Sequence, residues 1–376
     1  APLTVTTGTT AVAWTTTKPG NYVYFNKTVT GALSLPVESQ TLFSNTNWTV
    51  TGVKTGNVVQ LRVARSSSGT MPTGGSSTIT TLPEGWRPLI EASGPYGQWT
   101  DGPDVFVSIW IKLTPAGVLF VTGDQNGPKQ NFITGDISTL TYITNNVTAA
   151  HLVTAPPVDF SSQITGKPSN VTLTALYSPT TGAVYIQGEV AAGPVNGMVI
   201  PAKYRPISPL GNGTFTVYTS GNAPEGRVVR VAKSDGIMTF YQYGSTVTSF
   251  TNAGSFNITY YVEPESGAYI ITKGEDITDR CTWHTTCSYK SAIVRANVVY
   301  ISYVKDNGVN FSASGLVTLP AGYTFAQSGI LIAHDDTNDW TSNNVSWHTY
   351  SAGSANISGG GSQYKRSGNV AIPLVE

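Results

Sequence analysis

Leu82-Pro83-Glu84-Gly85-Trp86-Arg87-Pro88 is the stretch that decides the fold, because this chain of 376 residues repeats it twice more. The second copy, IPAKYRP, spans 200–206, and a shorter third copy, LPAGY, spans 319–323. The motif prolines at positions 83, 201 and 320 are 118 and 119 residues apart. Two nearly equal intervals across such long gaps predict duplicated units of one fold.

Each copy places a proline after an aliphatic residue and an aromatic residue shortly after the proline. Proline cannot donate to a β-ladder, so it marks the end of a strand. The aliphatic and aromatic residues then anchor a tight turn in the core on either side. The predicted anchors are Leu82, Pro83, Trp86, Pro201, Tyr204, Pro320 and Tyr323. This signature is architectural and carries no catalytic chemistry.

The sequence around the motif repeats as well. A turn glycine follows each motif proline after 34, 35 and 33 residues, at Gly117, Gly236 and Gly353. Apolar residues alternate in short runs bounded by Gly, Pro, Asn and Asp, which is typical of strands and turns. The pattern predicts an all-β protein of three tandem antiparallel β-sandwich domains, jelly-roll-like, after a short N-terminal β-rich segment. An immunoglobulin-like sandwich competes, but its Cys…Trp…Cys spacing is missing.

The expected organisation follows from the repeats and from the polar stretches between them. Residues 1–44 form the N-terminal attachment segment, 45–153 the first sandwich, 168–264 the second and 289–376 the third. Proline and glycine punctuate a linker before the second sandwich. Residues 265–288 form a connector that contains both cysteines.

Charge excludes several classes of partner. Charged residues make up 11% of the chain and the net charge is +0, against roughly 25% charged residues in an average globular protein. A nucleic-acid partner would require a basic patch, so none is expected. No apolar run is long enough to cross a bilayer, so membrane insertion is not expected. The first residues show no signal peptide.

Two clusters have residue types that bind metals. Asp335, Asp336 and Asp339 offer oxygen ligands for a hard cation such as Ca²⁺, but they lack the alternation and bidentate Glu of an EF-hand, and a polar loop is the simpler interpretation. Cys281 and Cys287, with His284 between them, give zinc only three ligands where a structural site takes four. A disulfide between the two cysteines is predicted, with two thiols as the alternative. No metal or other cofactor is expected.

Aromatic residues recur between the motif and the next strand of each repeat. Rings beside Asn, Gln and Asp suit saccharide recognition, since a sugar stacks on the ring while fixed polar groups bind its hydroxyls. The alternative is that the rings pack into the end of a sandwich or against a neighbouring subunit. The candidate glycan-binding residues are Tyr96, Trp99, Phe215, Tyr218 and Trp340.

Enzyme signatures are absent from the sequence. It contains no nucleophile elbow, P-loop, zinc-protease helix or dinucleotide fingerprint. Paired carboxylates for glycoside hydrolysis are a spatial feature that sequence does not show. The chain is therefore not expected to be an enzyme.

The Leu-Pro-x-Gly-Tyr-Arg-Pro signature, followed by a hairpin that turns at Asp-Gly or its equivalent, resembles modular domains of bacteriophage tail and baseplate proteins. The resemblance covers about 45–376. It implies β-sandwich domains in symmetric virion assemblies, with a homotrimer favoured, that serve as spacers or as adhesins for host surface glycans. The third copy departs from the pattern, because Thr324-Phe325 replaces Arg-Pro.

These features together predict a structural protein on the surface of a virion. A tail fibre or minor tail component fits best, in contact with other virion proteins and contributing to binding of host surface glycans. The alternatives are a capsid decoration or head-fibre protein, a glycan-degrading tail enzyme and a secreted adhesin.

Overall fold

The computed structural model describes residues 3–7, 10–14, 37–67, 69–70, 76–95, 109–123, 131–132, 137–144, 156–217, 225–242, 245–263, 274–305, 315–335, 345–351, 353–358 and 366–375. Regular structure there consists of antiparallel strands and single-turn 3₁₀ helices. The predicted all-β class is therefore confirmed.

The N-terminal residues form a hairpin. Strands β1 (Leu3–Thr7) and β2 (Thr10–Trp14) pair with each other and with no other described strand. Strand β3 (Val37–Ser44) falls in the predicted attachment segment, but it pairs with the first strand of the first repeat and extends its sheet.

Repeat 1, as the structure delimits it, spans 37–144 and contains two four-stranded sheets, ordered β12-β5-β4-β3 and β7-β10-β9-β8, and a short β6–β11 pair. A 3₁₀ helix, Glu84–Trp86, carries the motif. The strands after β3 are β4 (Trp48–Thr55), β5 (Val58–Arg65), β6 (Gly69–Thr70), β7 (Ser76–Thr81), β8 (Ala92–Pro95), β9 (Ile109–Leu113), β10 (Val118–Gly123), β11 (Asn131–Phe132) and β12 (Ile137–Ile143).

Repeat 2 spans 158–263 and forms one eight-stranded sheet, ordered β13-β14-β15-β22-β17-β18-β19-β20, with a short β16–β21 pair. Its 3₁₀ helices are Ser161–Gln163 and Ala202–Tyr204. Its strands are β13 (Val158–Asp159), β14 (Val171–Tyr177), β15 (Ala183–Val190), β16 (Gly193–Pro194), β17 (Leu210–Val217), β18 (Glu225–Ala232), β19 (Met238–Gln242), β20 (Ser245–Val247), β21 (Ser249–Phe250) and β22 (Gly254–Tyr261).

Repeat 3 spans 275–375 and forms one sheet, ordered β23-β25-β26-β32-β29-β30-β31-β27-β24, with β28 also paired to β32. Its 3₁₀ helix is Thr278–Arg280. Its strands are β23 (Glu275–Asp276), β24 (Thr282–Trp283), β25 (Cys287–Arg295), β26 (Val298–Lys305), β27 (Gly315–Thr318), β28 (Thr324–Phe325), β29 (Gly329–Asp335), β30 (Val345–Ser351), β31 (Ser354–Ser358) and β32 (Arg366–Val375).

The segments predicted as linker and connector belong partly to the sheets. Strand β13 pairs with β14, and β23 pairs with β25. The reason is a shared turn, in which the Asp159 carboxylate accepts the Ser161 N–H and the Asp276 carboxylate accepts the Thr278 N–H, both at 2.9 Å. The hydroxyls of Ser161 and Thr278 then accept backbone N–H groups of β14 and β25. Phe160, which follows Asp159, is fully buried and stacks on the motif ring of Tyr204 at 3.9 Å.

The three motif copies make the same backbone contacts. In each, the N–H of the residue before the proline donates to the carbonyl of the predicted turn glycine. In each, the proline carbonyl accepts the N–H of the motif aromatic residue. The first contact measures 2.8 Å from Leu82 to Gly117, 2.8 Å from Ile200 to Gly236 and 2.7 Å from Leu319 to Gly353. The turn glycine therefore lies against the motif in all three repeats.

Side chains reinforce the motif turn in the first two repeats. The guanidinium Nε of Arg87 donates to the Leu82 carbonyl at 2.9 Å, and Arg205 Nε donates to the Ile200 carbonyl at 3.3 Å. A buried tyrosine hydroxyl donates to the carbonyl of the motif aromatic residue, from Tyr142 to Trp86 at 2.6 Å and from Tyr260 to Tyr204 at 2.8 Å.

The third repeat lacks both of these devices. Its motif has no Arg, and Thr324 and Phe325 instead pair with β32. The counterpart of Tyr142 and Tyr260 in repeat 3 is Ile372. The strand pairing shows this, because Tyr142 pairs with Val59, Tyr260 with Val184 and Ile372 with Val299. An aliphatic side chain thus occupies the place of the tyrosine hydroxyl.

We expect Tyr142→Phe and Tyr260→Phe each to lower the free energy of unfolding by about 1 to 3 kcal/mol, because a buried motif carbonyl loses its donor. Urea unfolding of the whole chain measures the loss. An unchanged midpoint in both variants would show that the hydroxyls do not support the turn.

Alkaline pH tests the same bonds. Burial raises the pKa of Tyr142 and of Tyr260 well above the ordinary value of 10.0. The unfolded chain therefore loses these protons at lower pH than the folded chain, and stability present below pH 10 falls as the pH rises further. We expect wild type to lose more stability than Tyr142→Phe between neutral pH and pH above 10, measured by thermal unfolding. Equal losses would contradict the assignment.

Candidate functional site: the three-repeat junction

The junction between the repeats is built from three hairpin tips, one from each repeat. They are Gly56-Asn57 between β4 and β5, residues 178–182 between β14 and β15, and Ala296-Asn297 between β25 and β26. Hairpin tips ordinarily face solvent. Here Asn57, Ser178 and Thr180 are fully buried and Ala296 is 7% exposed. The repeats therefore bury their tips against one another.

Hydrogen bonds connect each tip to the other two. The Ser178 hydroxyl of repeat 2 donates to Asn57 Oδ1 of repeat 1 at 2.6 Å. The Thr55 hydroxyl of repeat 1 donates to the Ala296 carbonyl of repeat 3 at 3.1 Å. Arg295 closes the circle from repeat 3 to repeat 2, so the contacts run around all three repeats.

Arg295 is the charged residue at the centre of this network. It is 4% exposed, its Nε donates to the Thr180 carbonyl at 3.0 Å, and its Nη2 donates to the Pro179 carbonyl at 3.1 Å. Its Nη1 lies 3.7 Å from the carboxylate of Glu263, which also accepts the Tyr261 hydroxyl at 2.7 Å. A buried charge is costly unless it is paired and hydrogen-bonded, and these partners meet that requirement.

A second ring of contacts between repeats lies two residues further along the strands. Three residues hold the same position in their repeats there, namely Gln60, Tyr185 and Tyr300. They come two residues after Val58, Ala183 and Val298. Each meets the neighbouring repeat at that position. The contacts are Gln327 Nε2 to the Gln60 carbonyl at 3.0 Å, Tyr185 hydroxyl to the Glu91 carbonyl at 3.0 Å, and Tyr300 hydroxyl to the Thr181 carbonyl at 2.9 Å.

An apolar cluster fills the space between the repeats. It contains one residue from the same position of each repeat, Val58, Ala183 and Val298, which are 1%, 1% and 0% exposed. Tyr261 and Tyr300 pack in the same cluster with ring centroids 4.7 Å apart. Equivalent positions that meet in one cluster indicate a pseudo-threefold arrangement. Its chemistry is that of a protein interface, with apolar contacts at the centre and polar groups around them. Most of these polar groups are hydrogen-bonded, whereas Asn57 Nδ2 is buried without a hydrogen-bond partner among the described residues.

Sequence reasoning found the hairpin strands but not their burial. Polar tips such as Gly56-Asn57 look like exposed turns. One signal was available, because Asp-Phe-Ser at 159–161 and Asp-Ile-Thr at 276–278 are 117 residues apart, close to the motif interval. That second repeat would have assigned the supposed linkers to the domains.

The predicted glycan-binding residues lie mostly outside the described residues. Tyr96, Trp99, Tyr218 and Trp340 are among them. Phe215 is described through its backbone, and the prediction that it lies in a loop is wrong. It belongs to β17, where it pairs with Arg227 of β18 and Phe256 of β22.

Glycine explains why this strand looked like a loop. A Cβ on Gly211 would lie 2.6 Å from the Tyr260 ring, and one on Gly213 would lie 2.0 Å from the Asn257 carbonyl oxygen. Glycine in a strand often marks such a close approach. The glycines at 211 and 213 thus allow packing and do not indicate a turn.

The metal candidates are only partly described. Asp335 ends β29, whereas Asp336 and Asp339 lie outside the described residues. Within the part of the chain that the structure describes, no group of three or more His, Cys, Asp or Glu side chains could hold a metal ion.

The predicted disulfide is not formed. Cys281 and Cys287 are both thiols in the structure. Cys281 follows the 3₁₀ helix Thr278–Arg280 and is 9% exposed, in the place that Ile164 occupies after Ser161–Gln163. It therefore packs as a small hydrophobic residue, and burial raises the pKa of its thiol to about 11.

No protein-family model matches the chain. No curated protein matches it either. The geometry of the chain itself therefore has to support any functional assignment. Among the described residues, no helix is both long enough and apolar enough to span a membrane.

We expect Arg295→Ala to lower the free energy of unfolding by roughly 3 kcal/mol, because it leaves the buried carbonyls of Pro179 and Thr180 without their donor and removes the cation beside Glu263. Arg280→Ala is the matched control, since Arg280 pairs with Glu275 on the surface and is half exposed. Thermal unfolding compares the two. Equal shifts would show that the junction contributes no more than a surface ion pair.

We expect both cysteines to react with a thiol reagent in denaturant without any reductant, because neither is in a disulfide. In the folded chain at neutral pH, Cys281 reacts slowly, since its raised pKa leaves little thiolate. Mass spectrometry counts the labelled sites. Labelling of the two cysteines only after reduction would contradict this prediction.

Proposed function

We propose that this chain is a structural protein of a bacteriophage virion, a tail fibre or minor tail component that contributes to binding of host surface glycans. The observation that carries the proposal is the triple turn motif, held in each repeat by the same two backbone hydrogen bonds. That motif carries the resemblance to virion modules.

The junction supports a structural role. Buried side chains such as Arg295, Tyr185 and Tyr300 donate to backbone carbonyls of the neighbouring repeat. Three repeats connected in this way resist separation at several points. A protein that transmits force between a particle and a cell surface needs this property.

The glycan part of the proposal depends on the aromatic residues between motif and following strand. Trp99 and Trp340 are flanked by Gln98 and by Asp339 and Asn343-Asn344. An indole ring beside amide and carboxylate groups provides a stacking face and fixed hydrogen-bonding partners for a sugar.

Attachment through the head of the particle is the second candidate. The hairpin of β1 and β2 pairs with none of the described strands of the three repeats. A separate N-terminal hairpin suits a contact with another virion protein, in a capsid decoration or head fibre as well as in a tail fibre. Imaging of the attachment point on the particle distinguishes the two.

We expect the purified protein to compete with phage particles for adsorption to host cells, and the double variant Trp99→Ala, Trp340→Ala to lose this competition. Tyr289→Ala, on strand β25, is the control and should compete as wild type does. Equal competition by all three proteins would remove glycan binding at these tryptophans. Antibody labelling of intact particles then tests the virion assignment separately.

A further inference from the structure

We propose that one chain of this protein takes the place of a trimer and is present as a single copy at its site of assembly. The virion modules that it resembles commonly form homotrimers or other symmetric oligomers of separate chains. In this chain the three equivalent units are already joined covalently and already packed around one another. The part of the inference that concerns assembly rests on the proposed function, whereas the single-chain state does not.

The contacts between repeats form a closed cycle. Repeat 2 meets repeat 1 through Tyr185, repeat 3 meets repeat 2 through Tyr300, and repeat 1 meets repeat 3 through Gln60. These three residues occupy the same position in their strands. A row of domains would leave the first and last repeats apart. Here repeat 1 contacts repeat 3, so the interface repeated in one direction closes into a ring.

The last strands of repeats 2 and 3, β22 and β32, take part in the same cycle of contacts. Asn257 of β22 and Asn369 of β32 hold the same position, as their pairing with Gln187 and Ser302 shows. Asn257 Nδ2 donates to the Ser93 carbonyl of repeat 1 at 2.6 Å, and the Ser208 hydroxyl of repeat 2 donates to Asn369 Oδ1 at 3.4 Å. Strands β22 and β32 thus both face the repeat that precedes them in the chain.

The tips of the ring are not available to a second chain. Thr55, Asn57 and Thr181 are each 0% exposed within a single chain. A homotrimer that used this interface between chains would have to open it first and expose Arg295. Covalent connection also raises the effective concentration of each repeat for its neighbours, so the internal contacts are favoured over contacts between chains.

Light scattering on the whole chain over a wide concentration range tests the proposal. We expect the mass of one chain, 39.8 kDa, at every concentration. A stable multiple of that mass would overturn the inference.

A pair of variants then tests whether the junction keeps the chain closed. We expect Arg295→Ala to shift part of the protein to multiples of the single-chain mass, because a weakened ring lets repeats exchange between chains. Arg87→Ala is the control, since Arg87 braces the motif turn inside repeat 1. It should remain a single chain. Oligomers of both variants, or of neither, would overturn the role of the junction.

Counting copies on the particle separates this inference from the proposed function. One chain per attachment site, measured by quantitative mass spectrometry of particles, supports both. Three chains per site would overturn the inference and leave the virion assignment intact. Absence of the chain from particles would overturn the virion assignment and the assembly part of the inference, while the solution mass would still decide the single-chain state.

Discussion

Burial of three hairpin tips against one another is the constraint on which the rest of the structure depends. Backbone groups in a tip have no strand partner, so removing them from water is costly unless other groups bind them. The chain meets that requirement with side chains from the neighbouring repeat, above all Arg295, Thr55 and Tyr300. Each repeat therefore completes the hydrogen bonding of the next, and the three units depend on one another.

The three repeats keep the same backbone contacts while their supporting side chains differ. Repeats 1 and 2 brace the motif turn with Arg87 and Arg205. In repeat 3 the hydroxyl of Tyr323 donates to Glu275 at 2.8 Å, and Arg280 lies over the same ring. An arginine from the preceding 3₁₀ helix thus contacts the motif ring from the solvent side. Backbone geometry is the conserved quantity among the copies.

Much of the fold is predictable from the sequence, because local patterns indicate it. Alternating apolar residues and turn glycines indicate strands, and the repeated motif predicts equivalent units, whose turns share two backbone hydrogen bonds in the structure. The motif aromatic residues Trp86 and Tyr204 are buried as expected, at 5% and 1% exposure, whereas Tyr323 is only partly buried.

The junction is not predictable in this way, because its contacts join residues more than a hundred positions apart. Arg295 and Thr180 are an example, and nothing near either residue in sequence indicates the other. Cys281 and Cys287 misled for a related reason, since their short spacing suggests a bridge while Cys281 fills a core position. Gly213 misled because glycine permits close packing in a strand as readily as it permits a turn.

Covalent joining of the three units has a consequence for how they can evolve. In an assembly of identical chains every substitution appears on all three sides at once, so a change that benefits one side burdens the others. Here Lys203 stands exposed on one motif turn where the other two have Gly85 and Gly322. Each side of the molecule can thus acquire its own chemistry while the shared centre stays unchanged.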